Sequence, residues 1–361
     1  SVPGITVRST GAARIESDGN VPAVTVQAGG VTLRDLEVRA ASVGIQISAP
    51  SCRVVGVVVR DTPIGMRLVG ARDASLERLE FEGGRIGLEL SSSSGGVIRR
   101  VAIRATTEAA IRSAGSWSFT LEQLTILGGA AGLLIVDASR ELAVRGARIE
   151  GVRTAVSIAD SSAVTLVGCV LRDVGIGVAV DRATDCEVST CTITGASEAG
   201  VSLQESVRNR VLRTTITAPQ DAGIRLVTSG NNTLSGNTIR RGADTGIVLT
   251  ASDRNLVERN EIRETPTGLE CVDASACRIL SNRIVAQESG LVLSGGIGHH
   301  VMDNRVAGRA VGIAGIGTQD GVLLRNDAVA QSGVAIALLG GSTGNRLSRS
   351  RTSQSEVGLL L

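Results

Sequence analysis

The stretch Gly223-Ile224-Arg225-Leu226, followed by Asn231-Asn232-Thr233-Leu234-Ser235-Gly236-Asn237-Thr238-Ile239, holds two short runs in which apolar and variable residues alternate. Alternation with a period of two is the mark of strands with one buried face, and the Gly, Ser and Asn between the runs are turn formers. Reading outward from it, the unit of a small residue followed by apolar, variable, apolar recurs at Gly44, Gly65, Gly87, Gly132, Gly177, Gly200, Gly246, Gly268, Gly290, Gly312 and Gly358. Ala110, Ala155 and Ala335 fill the gaps, and every spacing is 21 to 23 residues. No segment sustains a period of 3.6 long enough for a helical solenoid.

A second column runs about eight residues ahead of these glycines. It reads Leu36, Val57, Leu79, Val101, Leu124, Ala147, Cys169, Cys191 and Thr214, then Asn237, Asn260, Asn282, Asn304 and Asn326. The residue two places after each member is apolar, from Val38 and Val59 through Phe81 and Ile103 to Ile284, Val306 and Ala328. Coils of 22 to 23 residues carrying two or three short strands are the rungs of a right-handed, single-stranded parallel β-helix. About fifteen rungs are expected, over residues 1–361 as one domain. Stacked in register, the five asparagines form a structural ladder whose amides bond to the rungs above and below.

The stretch quoted at the outset resembles the repeat of the NosD-like family of carbohydrate-binding and sugar-hydrolase β-helices, within the pectate-lyase-like superfamily. The resemblance covers nearly the whole chain and is clearest over residues 200–330. It implies the fold, a carbohydrate ligand and a place outside the cytoplasm or on the cell surface. It does not select a reaction, because the superfamily holds polysaccharide lyases, hydrolases, uronate epimerases and non-catalytic binding or scaffold proteins.

Composition narrows the choice. Aromatic residues make up 1% of the 361, and with no lysine all 37 basic residues are arginine, against 35 acids. A formal net charge of +2 with both signs spread along the chain does not make the concentrated basic face that nucleic acids require. No apolar run reaches membrane-spanning length. The opening Ser1 to Val7 enters directly into patterned sequence, without the features of a signal peptide.

The chemistry that the superfamily's enzymes use is hard to find. There is no Asp-Asp pair, no Gly-His-Gly and no Asp-Pro-His motif, and acids such as Asp253, Glu270 and Asp273 converge only through stacking. Calcium enters only if the lyase alternative holds; no other cofactor and no metal are expected. The two histidines, His299 and His300, precede Asp303 in a pattern that would hold a metal or supply a base only if a turn brought both rings to one side. Cys169 and Cys191 fall in the inward column, as small core residues or, alternatively, as a bridge between neighbouring rungs. Outward arginines after the inner column, Arg39, Arg60, Arg104, Arg172, Arg240 and Arg263, interrupted by Glu82, Glu150, Thr194 and Thr217, form a line suited to carboxylate or sulfate groups, or simply a solvated face. Trp117, near Phe119, is the one candidate sugar platform.

Two readings follow. The preferred one is a non-catalytic module that recognises an acidic polysaccharide or a partner protein; the alternative is a polysaccharide lyase, epimerase or hydrolase. Outward positions that turn apolar at Val248, Val292, Ala314, Ala337 and Leu360, and a last motif at Gly358, carry the further expectation that flanking domains or another subunit cap the ends.

Overall fold

A computed structural model describes residues 5–9 and 14–361, so the first four residues of the patterned opening fall outside it. The described residues form strands and turns with no helix, and the pairings are parallel, each strand joined to the one a turn later. Each turn supplies three ribbons. In the quoted region these are Arg210–Leu212 paired with Thr233–Ser235, Thr215–Thr217 with Thr238–Arg240, and the longer Ala222–Val227 with Thr245–Thr250. The solenoid has about 16 turns. The turn beyond the glycine column is Ala23-Val24-Thr25-Val26, where alanine takes the glycine's place and Val24 pairs with Ile45.

The glycine column has a steric cause. A Cβ on Gly223 would lie 2.5 Å from the Gly246 carbonyl oxygen and 2.6 Å from Cγ2 of Ile239. The β-branched residue that follows the inner column on the next turn thus occupies the space a side chain would take. The glycine column as far as Ala335, the inner column, and its followers from Val38 and Val59 to Ile284 and Ala328 are buried. Burial of such aliphatic side chains, each worth about 1.5–3 kcal/mol, is the main term that holds the turns together.

Contacts divide the chain into two compact units, Ser1–Val174 and Gly175–Leu361. In the first, the inner column is aliphatic from Leu36 to Ala147, and Phe81 and Phe119 are buried beside it. Within the second it becomes polar. Asn260 N–H and Nδ2 both donate to Asn282 Oδ1, at 2.9 and 3.0 Å, while Asn282 Nδ2 donates to the Val257 carbonyl at 2.9 Å. The same pattern links Asn237 to Asn260, Asn282 to Asn304 and Asn304 to Asn326.

Two further ladders line the preceding corner. Asn209 N–H donates to Asn232 Oδ1 and Asn232 N–H to Asn255 Oδ1, each at 2.8 Å. Three residues earlier, Ser206 N–H reaches Ser229 Oγ and Ser229 N–H reaches Ser252 Oγ, each at 3.0 Å. Corner backbone groups, which no strand pairs, thereby find partners away from water. All six cysteines are buried and none is in a disulfide, so the alternative of a Cys169–Cys191 bridge is not realised. Both thiols instead sit among aliphatic neighbours as small core groups.

Candidate functional site

A groove of about 460 Å³ opens in the second unit where the first two ribbons meet. Its floor is Asn304 and Asn326, held by the ladder. One wall is the residue before each ladder position, Asp303, Arg325 and Arg349, all with positive φ (59°, 52° and 52°). The other is the residue after it, Arg305, Asp327 and Arg351, which pair in register on successive strands. The left-handed backbone conformation turns the corner and places the preceding side chain on its outer rim. The ladder below fixes that corner, so the guanidinium groups project from a rigid base.

The charges within the groove are only partly matched. Arg325 donates from Nε and an Nη to the two oxygens of Asp303, at 2.7 and 2.8 Å. That paired hydrogen bond holds the Asp303 carboxyl below its usual range and raises Arg325. No such ion pair engages Arg305, Arg349 or Arg351 among the described residues. Four arginines against two aspartates leave the groove positive. Three unpaired, exposed guanidinium groups, Arg349 and Arg351 on one turn and Arg305 two turns away, can each grip a carboxylate or sulfate through two parallel N–H bonds.

The arginine line expected from the sequence is broken. Arg39 faces Asp61 at 3.3 Å and Arg60 faces Glu82 at 3.6 Å. The column through Arg104 and Arg172 runs Glu82, Arg104, Leu127, Glu150, Arg172, so acids and an aliphatic interrupt it. In the second unit Arg240 and Arg263 are adjacent, Arg263 pairs with Glu261, and Val285 follows. None of the six lines the arginine groove.

The remaining candidates separate in the same way. His299 is buried at the corner, above Cys277, and His300, which begins the strand His300–Met302, is exposed; Asp303 is engaged by Arg325. No cluster of three His, Cys, Asp or Glu suited to a metal occurs among the described residues. Trp117 is half-buried with the Arg140 guanidinium 5.0 Å above its ring, while Phe119 is inside the core. The two aromatics therefore do not form one platform. Ala314 and Ala337 of the apolar stripe are buried, and Glu270 sits between Val248 and Val292.

Of the groove residues the sequence singles out Asp303, beside the histidines, and Asn304 and Asn326, in the ladder, but not the arginines or Asp327. Their signal is a triplet, a charge on each side of the ladder position: Asp303-Asn304-Arg305, Arg325-Asn326-Asp327 and Arg349-Ser350-Arg351.

The sequence profile described as the right handed beta helix region matches residues 64–183 and 176–351. The sequence matches none of the curated proteins compared with it. Among solved structures, the A-module of a mannuronan C-5 epimerase from Azotobacter vinelandii is similar, with a TM-score of 0.55 at 12% identity over 91% of each chain. A tailspike protein of an E. coli bacteriophage gives 0.57 at 11% identity, covering 95% of this chain and 74% of that one. A periplasmic alginate epimerase gives 0.51 at 10% identity, covering 96% and 79%. Likeness at this identity is likeness of fold.

Proposed function

The chain belongs to the right-handed β-helix family, and from that premise we propose that it is a non-catalytic module that binds an acidic polysaccharide in the arginine groove of its second unit. The observation that carries the reading is the set of three unpaired arginines, Arg305 beside Asn304 of the asparagine ladder, and Arg349 and Arg351 beside Ser350, whose Oγ accepts from the Asn326 N–H at the ladder's end. The family's fold is shared by polysaccharide-active enzymes and by tailspikes, which supports a carbohydrate ligand.

A polymer suits the groove better than a single sugar. An exposed ion pair contributes only about 0–1 kcal/mol, so one anion on one arginine binds weakly. Turns repeat about every 4.8 Å, so the Arg349 and Arg351 pair on one turn lies roughly 10 Å from Arg305 two turns away, with Asp327 between Arg305 and Arg351, and only a chain with several acidic groups spans both places. Several such contacts on one polymer add through effective concentration. Such polymers are met outside the cytoplasm, where we place the module; no helix among the described residues is long and apolar enough to cross a membrane.

An enzymatic reading finds less support in the groove. Glycosidic cleavage by two carboxyl groups needs one of them protonated as a general acid. Of the two groove acids, Asp303 is held ionised by Arg325.

The test is retention of the purified chain on immobilised polyuronate, sulfated polymer and neutral glucan, with the eluate examined for shortened or unsaturated sugars. Replacing Arg349 and Arg351 together by alanine should weaken retention on the acidic polymers about tenfold, as expected for a loss near 1.4 kcal/mol. Product formation would favour the lyase, epimerase or hydrolase alternative. No retention on any acidic polymer would remove the polysaccharide reading altogether.

A further inference from the structure

Two corner ladders lapse at one place. Above Ser252 and Asn255, the positions that carry serine and asparagine on earlier turns are taken by Ala274 and Cys277, then by Gly296 and His299. Where an amide would bridge the turns there is instead a thiol beneath an imidazole. Cys277 is fully buried, and its thiol donates to the Ser252 carbonyl at 3.3 Å. Cys271, at the inward end of the strand Thr267–Val272, meets the Cys277 sulfur across the corner of the same turn.

His299 completes the group from the next turn, where Arg278 pairs with His300 and so places Cys277 against His299. It is 1% exposed, and neither ring nitrogen has a hydrogen-bond partner, although a buried polar group is costly unless paired. Gly296 makes room for the ring: its φ is +83°, and a Cβ there would lie 2.7 Å from Nε2. Cys52, at the same column position in the first unit, only donates to the backbone carbonyls of Ala28 and Pro50, at 3.7 and 3.6 Å. The second thiol and the unpartnered imidazole set Cys277 apart.

We propose that Cys271 and Cys277 are a dithiol that closes to a disulfide within one turn, with a low-molecular-weight disulfide as oxidant and His299 as the proton acceptor. Cys277 gives its proton to a ring nitrogen of His299, and its sulfur attacks one sulfur of the oxidant, whose S–S bond breaks and releases a thiolate. The Cys271 sulfur, its own proton lost, then attacks Cys277 Sγ; the Cys271–Cys277 bond forms and the second oxidant sulfur leaves. Two electrons and two protons pass to the oxidant, which becomes two thiols.

The electrostatics favour Cys277 as the first nucleophile. The hydrogen bond from Cys271, opposed by burial and assisted by His299 and the Asn255 N–H, draws the Cys277 thiol down to about 5, while Cys271 is raised as its partner. The corner between them, residues 273–276, is where access opens. Asp273 and Ala276 are exposed and have positive φ of 50° and 54°. Such a corner can open locally without the turns parting.

Because the chain lacks lysine, cleavage at arginine leaves residues 264–278 as one peptide holding both cysteines and no other. The experiment incubates the native full chain with oxidised glutathione, then denatures, alkylates and cleaves it. The expected result is that this peptide loses two hydrogens in mass and resists alkylation until reduced, while the cysteines elsewhere alkylate. His299→Asn, which puts the ladder amide back and should leave folding intact, is expected to slow closure by about a hundredfold, the scale of general-base assistance. Full alkylation of Cys271 and Cys277, or a glutathione adduct on Cys277 that never resolves, would overturn the dithiol. An unchanged rate in His299→Asn would overturn the role of the imidazole.

Discussion

The Asn282 side chain bonds to four groups on other turns, accepting from Asn260 N–H and Nδ2 and donating to the Val257 carbonyl and to Asn304 Oδ1. Asn282→Ala strands these groups out of reach of water, which should cost about 3 kcal/mol and lower the urea midpoint. A loss below about 1 kcal/mol would mean that the corner closes or hydrates without the amide. Asp303 and Arg325 make a second prediction at this scale. A carboxyl lowered in the folded state gives a contribution that is present above its ordinary value of 3.8 and is lost as pH falls through the lower one. The pair therefore stays intact from pH 8 to 5, and retention on polyuronate should be flat across that window. Near pH 4 uronate retention should fall as the polymer's own carboxyl groups take protons, whereas retention on a sulfated polymer should persist. A fall in both near pH 6 would show that another group controls binding.

At the scale of strands and corners, sequence and structure agree most closely where sterics act on every turn. The glycine column, the followers and the alternation of inward residues were legible because one packing constraint recurs every 21 to 23 residues. Gly223→Ala should cost about 1–3 kcal/mol by overpacking, and pairing it with Ile239→Ala should recover part of the loss in thermal unfolding. Equal, additive losses would mean that the two side chains do not compete for space. The groove was less legible, since its arginines come from two positions that flank the inner column and meet only because the backbone between them is left-handed. Alternation predicts sides of a strand and says nothing of that corner. His299 and His300 are separated at the same kind of boundary, His299 turned inward in the corner column and His300 outward at the start of the strand.

For the whole molecule, a net charge of +2 provides little general attraction for an anionic polymer. Any attraction is local to the groove, within a screening distance of about 8 Å at physiological salt. Such a site selects by the arrangement of charge along a few turns. Turns of matching length have a different consequence. Glu261 and Arg283 are partners in register, and so are Asn260 and Asn282 in the ladder. Excising residues 261–282 joins Asn260 directly to Arg283 and leaves a shorter chain whose every remaining side chain keeps its facing, with Asn260 now beneath Asn304. That variant should fold, judged by circular dichroism and a cooperative melt, whereas removing one residue fewer should scramble it. The molecule is thus spliceable in whole coils, and the length of surface it presents is a quantity that duplication or loss of a coil can adjust without redesigning anything else.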